Sequence, residues 1–142
     1  METQNKTLIT VETTVNAPVA KVWEHWNEPM HIRKWNFADD SWHCPGAEND
    51  LRIGGRIQAR MEAKDQSQGF DFWGIYDDIK INELISYTLG DGRKVNINFK
   101  DLGEQTKVTE TFEAEDTFPK EMQKDGWQRI LNNFKKEVEG TF

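Results

Sequence analysis

The chain has 142 residues, of which 36% are hydrophobic and 30% are charged, and its formal net charge is −7. This length fits one domain, residues 1–142, and the acidic balance excludes nucleic acid as an expected partner, since phosphate binding requires clustered Lys and Arg. No stretch approaches the roughly 20 apolar residues of a membrane span, and a single cysteine, Cys44, excludes an internal disulfide. We therefore expect a cytoplasmic protein, either a monomer or a weak dimer.

The first half of the chain predicts a strand and then two short helices. Residues 8–15 are rich in β-branched side chains, which favour a strand. Asn16-Ala17-Pro18 ends this strand and favours the start of a helix over residues 19–27. A second short helix begins at Glu28-Pro29 and reaches Trp35. Two helices joined at a proline, directly after the first strand, predict a corner.

The middle of the chain predicts a series of strands. Two short candidates, residues 42–44 and 50–53, precede Gly54-Gly55, a pair that supplies the positive φ of a tight turn. Longer segments with period-two alternation follow, at residues 56–64, 70–79, 84–89, 95–99 and 108–112. The predicted order is one strand, two short helices, this series of strands and one long helix. Asp50 and Arg52, two residues apart, predict an ion pair that braces the turn.

The last helix, from about residue 119 to about residue 139, has one apolar side. Its apolar residues recur at helical spacing, namely Trp127, Ile130, Leu131, Phe134 and Val138. This side covers one face of the predicted sheet. A curved sheet around one long helix leaves a hollow between them, and we expect the function to lie there.

The familiar catalytic and metal-binding patterns are not found in the sequence. His43 and Cys44 are neighbours on an extended segment, where adjacent side chains point to opposite faces and do not form a nucleophile–base pair. The spacing of His25, His31 and His43 matches no metal-binding motif, and no phosphate-binding glycine loop is present. We therefore predict no metal and no cofactor.

Glu110 is the residue most suggestive of chemistry. It alternates in phase with Val108 and Phe112, so the pattern points its carboxylate toward the apolar side of the sheet. A carboxylate there must be paired, hydrated or protonated. Two interpretations stay open: a polar anchor or acid–base group in a cavity, or a structural ion pair with a nearby arginine.

The aromatic residues also have two interpretations. In the first, they line a pocket, since small-molecule sites are mainly apolar; in the second, they simply fill the core. The residues concerned are Trp35, Trp42, Phe72, Tyr76 and Trp127. Gly126 lies within the predicted last helix, where glycine costs about 1 kcal/mol relative to alanine. We interpret it as a point where another group approaches the helix closely.

Several short motifs occur in register over about residues 9–139. They are Asn16-Ala17-Pro18-x-x-x-Val22-Trp23, Asp50-x-Arg52-x-Gly54-Gly55, Gly74-x-Tyr76, Tyr87-Thr88 and Gly126-Trp127-x-x-x-Leu131. With these motifs the chain resembles the activator of heat-shock-protein-90 ATPase homologues. That family belongs to the START-like superfamily, together with polyketide cyclases and birch-pollen-type allergens.

The resemblance implies an α+β helix-grip fold. In this fold a seven-stranded curved antiparallel sheet wraps around the long C-terminal helix, two short helices after the first strand close one end, and a cavity holds a hydrophobic molecule. Pattern and resemblance together give a predicted ligand-binding set: Trp35, Trp42, Met61, Phe72, Tyr76, Glu110, Trp127 and Leu131.

Three functions are compatible with this interpretation. The first is binding or carriage of a small apolar or aromatic molecule, such as a lipid, without covalent chemistry. The second is a cyclase- or hydratase-type enzyme, with Glu110 as general base and Tyr76 as donor to a developing oxyanion. The third is a chaperone partner that stimulates a heat-shock protein ATPase; it ranks last, because the eukaryotic activators carry an additional N-terminal domain.

Overall fold

The computed structural model describes residues 7–140. Its elements in chain order are β1 (Leu8–Val15), α1 (Val19–Asn27), α2 (Pro29–Trp35), β2 (Trp42–Asn49), β3 (Arg56–Ala63), β4 (Gly69–Lys80), β5 (Leu84–Leu89), β6 (Lys94–Asp101), β7 (Thr106–Glu113) and α3 (Lys120–Glu139). No helix in this part of the chain has both the length and the apolar character needed to cross a membrane.

The seven strands form one antiparallel sheet in the order β1-β7-β6-β5-β4-β3-β2. Strands β2 to β7 follow one another as hairpins, and β1 pairs with β7, so that Val11 lies opposite Glu110. The helices α1 and α2 connect β1 to β2, which are the two edges of the sheet. The curved sheet wraps around α3, and the predicted helix-grip fold is confirmed.

An aromatic cluster fills the end of the molecule that α1 and α2 close. The ring centroids of Trp26 and Trp35 lie 4.8 and 5.0 Å from that of Phe134 on α3. Phe99 of β6 contacts the rings of Trp23 and Trp26 edge-on. These contacts fasten α3 to both short helices and to the sheet, and edge-to-face pairs of this kind are favourable beyond the area they bury.

The prediction of a strand at residues 50–53 is wrong, because the chain turns there. The backbone N–H of Arg52 donates to the carbonyl of Asp50, and that of Gly55 donates to the carbonyl of Arg52. Gly54 has φ of 84°, and a Cβ on Gly55 would lie only 2.1 Å from the Asp50 carbonyl oxygen. Both positions therefore require glycine. The predicted Arg52–Asp50 ion pair is present at 2.9 Å, but in an exposed turn.

Strand β2 is longer than its sequence pattern predicts. Pro45 and Gly46 interrupt the alternation, so the pattern indicates only residues 42–44. In the structure the register shifts between His43 and Gly46, and the strand continues to Asn49. A proline is tolerated at this position because β2 is an edge strand with a bulge.

Candidate functional site: a cavity between the sheet and the C-terminal helix

A cavity of about 460 Å³ lies between the N-terminal half of α3 and the concave face of the sheet. The sheet contributes Ile57, Met61, Phe72, Tyr76, Tyr87 and Glu110, and the helix contributes Met122, Gln123, Gly126, Trp127 and Ile130. Trp26, Ile32 and Trp35 close the inner end. The lining is therefore mainly apolar, with few polar groups, which is the usual character of a small-molecule site.

Most of the predicted ligand-binding residues line this cavity. They are Trp35, Trp42, Met61, Phe72, Tyr76, Glu110 and Trp127. Leu131 does not line it, since its side chain is fully buried in the core. The helical pattern placed Leu131 on the same side as Trp127, but by this turn of α3 the cavity has ended and packed core has begun.

Trp127 is held in place by stacking. Its ring lies 3.9 Å from the ring of Phe112 on β7, with the planes only 11° apart. Phe72 of β4 meets it edge-on at 6.2 Å. One face of the indole is thus occupied by the sheet, and the ring forms a fixed wall of the cavity.

Tyr76 uses its hydroxyl group within the protein. The hydroxyl donates a 2.5 Å hydrogen bond to the side-chain oxygen of Asn49, and the Asn49 amide donates to the carbonyl of Asn27. Burial raises the pKa of Tyr76 well above its ordinary value. Its ring borders the cavity while its hydroxyl ties β4 to β2 and α1, which does not favour the predicted role as oxyanion donor.

Glu110 lies on the sheet wall of the cavity with only 6% of its surface exposed. Within residues 7–140 its carboxyl group has no hydrogen-bond or ion-pair partner. The predicted structural ion pair with an arginine is not formed among these residues: Arg93, which also lines the cavity, pairs with Asp91 at 2.8 Å and Glu115 at 4.0 Å. Burial alone raises the pKa of Glu110 to about 8. The carboxyl group is therefore mainly protonated at neutral pH and can donate a hydrogen bond into the cavity.

Tyr87 is a polar residue of this site that was not in the predicted ligand-binding set. It lines the same cavity, and burial, the charge of Glu110 and Tyr76 together raise its pKa well above the ordinary value. Its hydroxyl makes no hydrogen bond within the described part of the chain. The alternation of Ile85, Tyr87 and Leu89 along β5 gave the signal, because it places Tyr87 on the buried face.

A clamp formed by Gln123 positions the rim of the cavity. The side-chain oxygen of Gln123 accepts from the backbone N–H of Glu115, and its amide donates to the carbonyls of Glu115 and Phe118. The segment before α3 is thereby held against the first turn of the helix. Phe118, Met122 and Phe70 stay exposed there, so the rim is apolar.

Gly126 faces open space rather than a close neighbour. A Cβ built on this residue would meet no heavy atom within 4 Å beyond its own helix backbone, and Gly126 lines the cavity. The prediction of a close approach to the helix is therefore wrong. What the glycine provides is free volume on the helix side of the cavity.

Comparison with known proteins gives the same architecture. The family model of Activator of Hsp90 ATPase homolog 1-like protein matches residues 16–139. The solution structure of the AHSA1-like protein from Aeromonas hydrophila is 40% identical, with a TM-score of 0.89 over 94% of this chain and 93% of that one. A solution structure from Cytophaga hutchinsonii is 54% identical, with a TM-score of 0.80 over 93% and 92% of the two chains.

A more distant crystal structure, from Chromobacterium violaceum, shares the fold at 24% identity, with a TM-score of 0.84 over 94% of this chain and 98% of that one. The search of curated proteins gave no match. The family model covers most of the chain, and two solved structures above 30% identity align over nearly its whole length. The chain therefore belongs to the Activator of Hsp90 ATPase homolog 1-like family, within the START-like superfamily.

Proposed function

We propose that this protein binds a small, mainly apolar or aromatic molecule between the sheet and α3 and carries it without covalent chemistry. The observation that supports this function is the cavity of about 460 Å³. This volume falls within the roughly 300–1,000 Å³ of small-molecule sites. Aromatic side chains hold its walls in fixed positions, so little ordering is required when a ligand binds.

The polar groups in the cavity define the polar end of the ligand. Glu110, protonated at neutral pH, and Tyr87 both have a hydroxyl proton without a partner in the described part of the chain. A ligand with one hydrogen-bond acceptor, such as a carbonyl oxygen, satisfies these donors, and its apolar remainder contacts Met61, Phe72 and Trp127. An unpaired buried donor is costly, so this match favours a carbonyl compound over a pure hydrocarbon.

Fluorescence titration with N-phenyl-naphthylamine, an uncharged aromatic probe, tests for binding in this cavity. We expect a Kd of about 1 μM or lower. Gly126→Leu fills the free volume beside α3 and lowers the affinity by roughly tenfold or more. Lys124→Leu is the matched control, because it adds the same side chain on the exposed side of the same helix turn. Equal affinity in both variants would contradict the proposed location.

Comparison of fluorenone with fluorene tests the polar end, because the two molecules differ only by a carbonyl group. At about pH 6, where Glu110 is protonated, fluorenone should bind roughly twofold to tenfold more tightly. The advantage should become clearly smaller at about pH 10 and in Glu110→Leu, because the Tyr87 hydroxyl is then the remaining donor. A preference for fluorenone that survives both changes undiminished would show that Glu110 is not a donor.

An acid–base enzyme is the second candidate, supported by the pKa of Glu110 near physiological pH. In this case Tyr87, whose hydroxyl has no protein partner among the described residues, replaces Tyr76 as the donor to an oxyanion. Native mass spectrometry of protein purified from its own host would identify a bound molecule. Glu110→Gln should then stop its conversion while binding persists; conversion at an unchanged rate would exclude this mechanism.

A chaperone partner is the third candidate, and it depends on the family description alone. It predicts that the purified protein changes the ATPase rate of a heat-shock protein 90 homologue. An unchanged rate at saturating protein, together with no capture of the chaperone in a pull-down assay, would exclude this role.

A further inference from the structure

A second group of chemically active side chains lies outside the cavity, where three helices meet. His25 of α1 and His31 of α2 stack with ring centroids 3.8 Å apart and planes 24° apart. Both rings point Nδ1 at the same atom, Oε2 of Glu137 in the last turn of α3, at 2.6 and 3.5 Å. Glu24 lies beside the two histidines on the solvent side, and one donor atom each from Glu24, His25 and His31 lie within 4.8 Å of one another.

We propose that these four residues, Glu24, His25, His31 and Glu137, bind a zinc-type divalent transition metal ion. Two imidazole nitrogens and two carboxylate oxygens are a donor set that Zn²⁺ accepts in tetrahedral geometry. Bonds of about 2.0–2.1 Å to Zn²⁺ place neighbouring donor atoms about 3.3 Å apart. The 3.5 Å from His31 Nδ1 to Glu137 Oε2 already fits this spacing.

The hydrogen bonding of the group favours an ion over a purely structural role. Glu137 Oε2 is hydrogen-bonded to His25 Nδ1, but His31 Nδ1 is buried and has no hydrogen-bond partner among residues 7–140. A metal ion uses this nitrogen as a ligand and replaces the proton on His25 Nδ1, and each neutral ring then keeps its proton on Nε2. The stacked rings must open slightly for both nitrogens to reach one ion.

The surroundings hold the donors at different depths. The side chains of His25, His31 and Glu137 are 13%, 18% and 12% exposed, whereas Glu24 is exposed. Three ligands thus come from the packed side and the fourth from solvent, which leaves a path for the ion. Bound metal would link both α1 and α2 to the end of α3. The existing hydrogen bond from Trp35 Nε1 to the His25 carbonyl, at 3.0 Å, connects α2 to α1.

Cobalt titration of chelator-treated, full-length protein tests this site, because Co²⁺ reports its coordination through visible absorption. We expect one Co²⁺ per chain with the strong bands of a four- or five-coordinate site, displaced by Zn²⁺. His31→Gln should lower the affinity by about tenfold or more, and so should Glu24→Gln. Zn²⁺ should raise the melting temperature of the unmodified protein but not of His31→Gln.

His43→Gln is the matched control. His43 Nε2 also lies near a carboxylate, Glu62 at 3.8 Å, but it has no second imidazole beside it and is 43% exposed. This variant should bind Co²⁺ like the unmodified protein. His31→Gln removes no protein hydrogen bond, and near-ultraviolet circular dichroism checks its fold; the exposed Glu24→Gln provides the test if it fails to fold. Absent bands, or unchanged affinity in both cluster variants, would overturn the proposal.

Discussion

The two halves of α3 present the same apolar side to different surroundings. In the C-terminal half, Leu131, Phe134 and Val138 are buried against the first strand and the two short helices. In the N-terminal half, Gly126, Trp127 and Ile130 face a cavity of about 460 Å³. The amphipathic pattern runs through both halves without a break.

Whether a face of α3 is packed or borders a cavity depends on which elements lie opposite it. At the closed end α1 and α2 bring Trp26 and Trp35 up to Phe134. At the other end no helix of the described chain fills the space. The sheet residues opposite α3 there, Tyr76, Tyr87 and Glu110, are separated from the helix by the cavity. The C-terminal half of α3 therefore contributes mainly to stability, and the N-terminal half forms one wall of the proposed ligand site.

Phe134→Ala should have the largest effect on stability. It removes a fully buried ring from the aromatic cluster, and such truncations cost about 3–5 kcal/mol. Ile130→Ala, one turn earlier beside the cavity, should cost roughly 1–2 kcal/mol, because its side chain is only partly packed. Urea denaturation of both variants measures the contrast. Equal losses would mean that the N-terminal half is packed as tightly as the C-terminal half.

Glu110→Gln should change how stability depends on pH. The pKa of Glu110 is about 8 in the folded protein against an ordinary 4.5, so the folded state holds the proton more tightly. The Glu110 contribution is therefore most favourable below about pH 4.5 and is lost as the pH rises through 8. Between about pH 4.5 and 8, the free energy of unfolding of the variant minus that of the wild type should rise with pH. The slope should approach about 1.4 kcal/mol per pH unit, and it is smaller if water hydrates the carboxylate in the cavity. A flat difference between pH 5 and 9 would argue for an ordinary, hydrated carboxylate.

Gly126→Ala should stabilise the protein by about 1 kcal/mol. Apart from its chain neighbours and its own helix backbone, the added methyl group meets no heavy atom of the described residues within 4 Å, and alanine is the better helix former. The variant should keep most of its probe affinity, since a methyl group fills little of the cavity. Thermal denaturation measures the change in stability. A destabilised variant would mean that the space beside Gly126 is occupied.

Arg129→Ala should have the smallest effect, within about 0.5 kcal/mol. Arg129 pairs with Asp125 at 2.8 Å on the solvent side of the same half of α3, with both side chains more than half exposed. Its removal leaves the cavity and the core unchanged, so the affinity for the fluorescent probe should stay the same. A larger loss by urea denaturation would indicate that this surface contributes to the helix in a way its exposure does not suggest.

Sequence reasoning predicted most of the fold. Residues 8–15, 19–27 and 84–89 have the same bounds in pattern and structure, because their apolar spacing is a local property. It was less successful where the chain departs from regular pairing, as at the turn over residues 50–53 and the bulge in β2. At these places the backbone conformation depends on Gly55 and Pro45. How each residue alters strand pairing depends on the segments beside it, which the local pattern does not show.

The candidate site was only partly predictable. Glu110 was recognised from its phase in β7, but the sequence did not show that Arg93 pairs with Asp91 and leaves Glu110 without a partner among residues 7–140. Tyr76 was predicted as a possible donor, a role that its hydrogen bond to Asn49 does not favour, whereas Tyr87 was not predicted as a site residue. The cluster of His25, His31 and Glu137 has no motif spacing, because its donors come from three helices and meet only after folding.

The spacing of apolar residues was sufficient to predict the helices, most of the strands and their order, since period-two and helical spacing follow from backbone geometry. It also determined that Glu110 points to the apolar side of the sheet. That α3 is packed at one end and faces a cavity at the other is evident only once the chain is folded. The reason is that a cavity is defined by the distance between walls that lie far apart in the chain, and no local pattern encodes that distance.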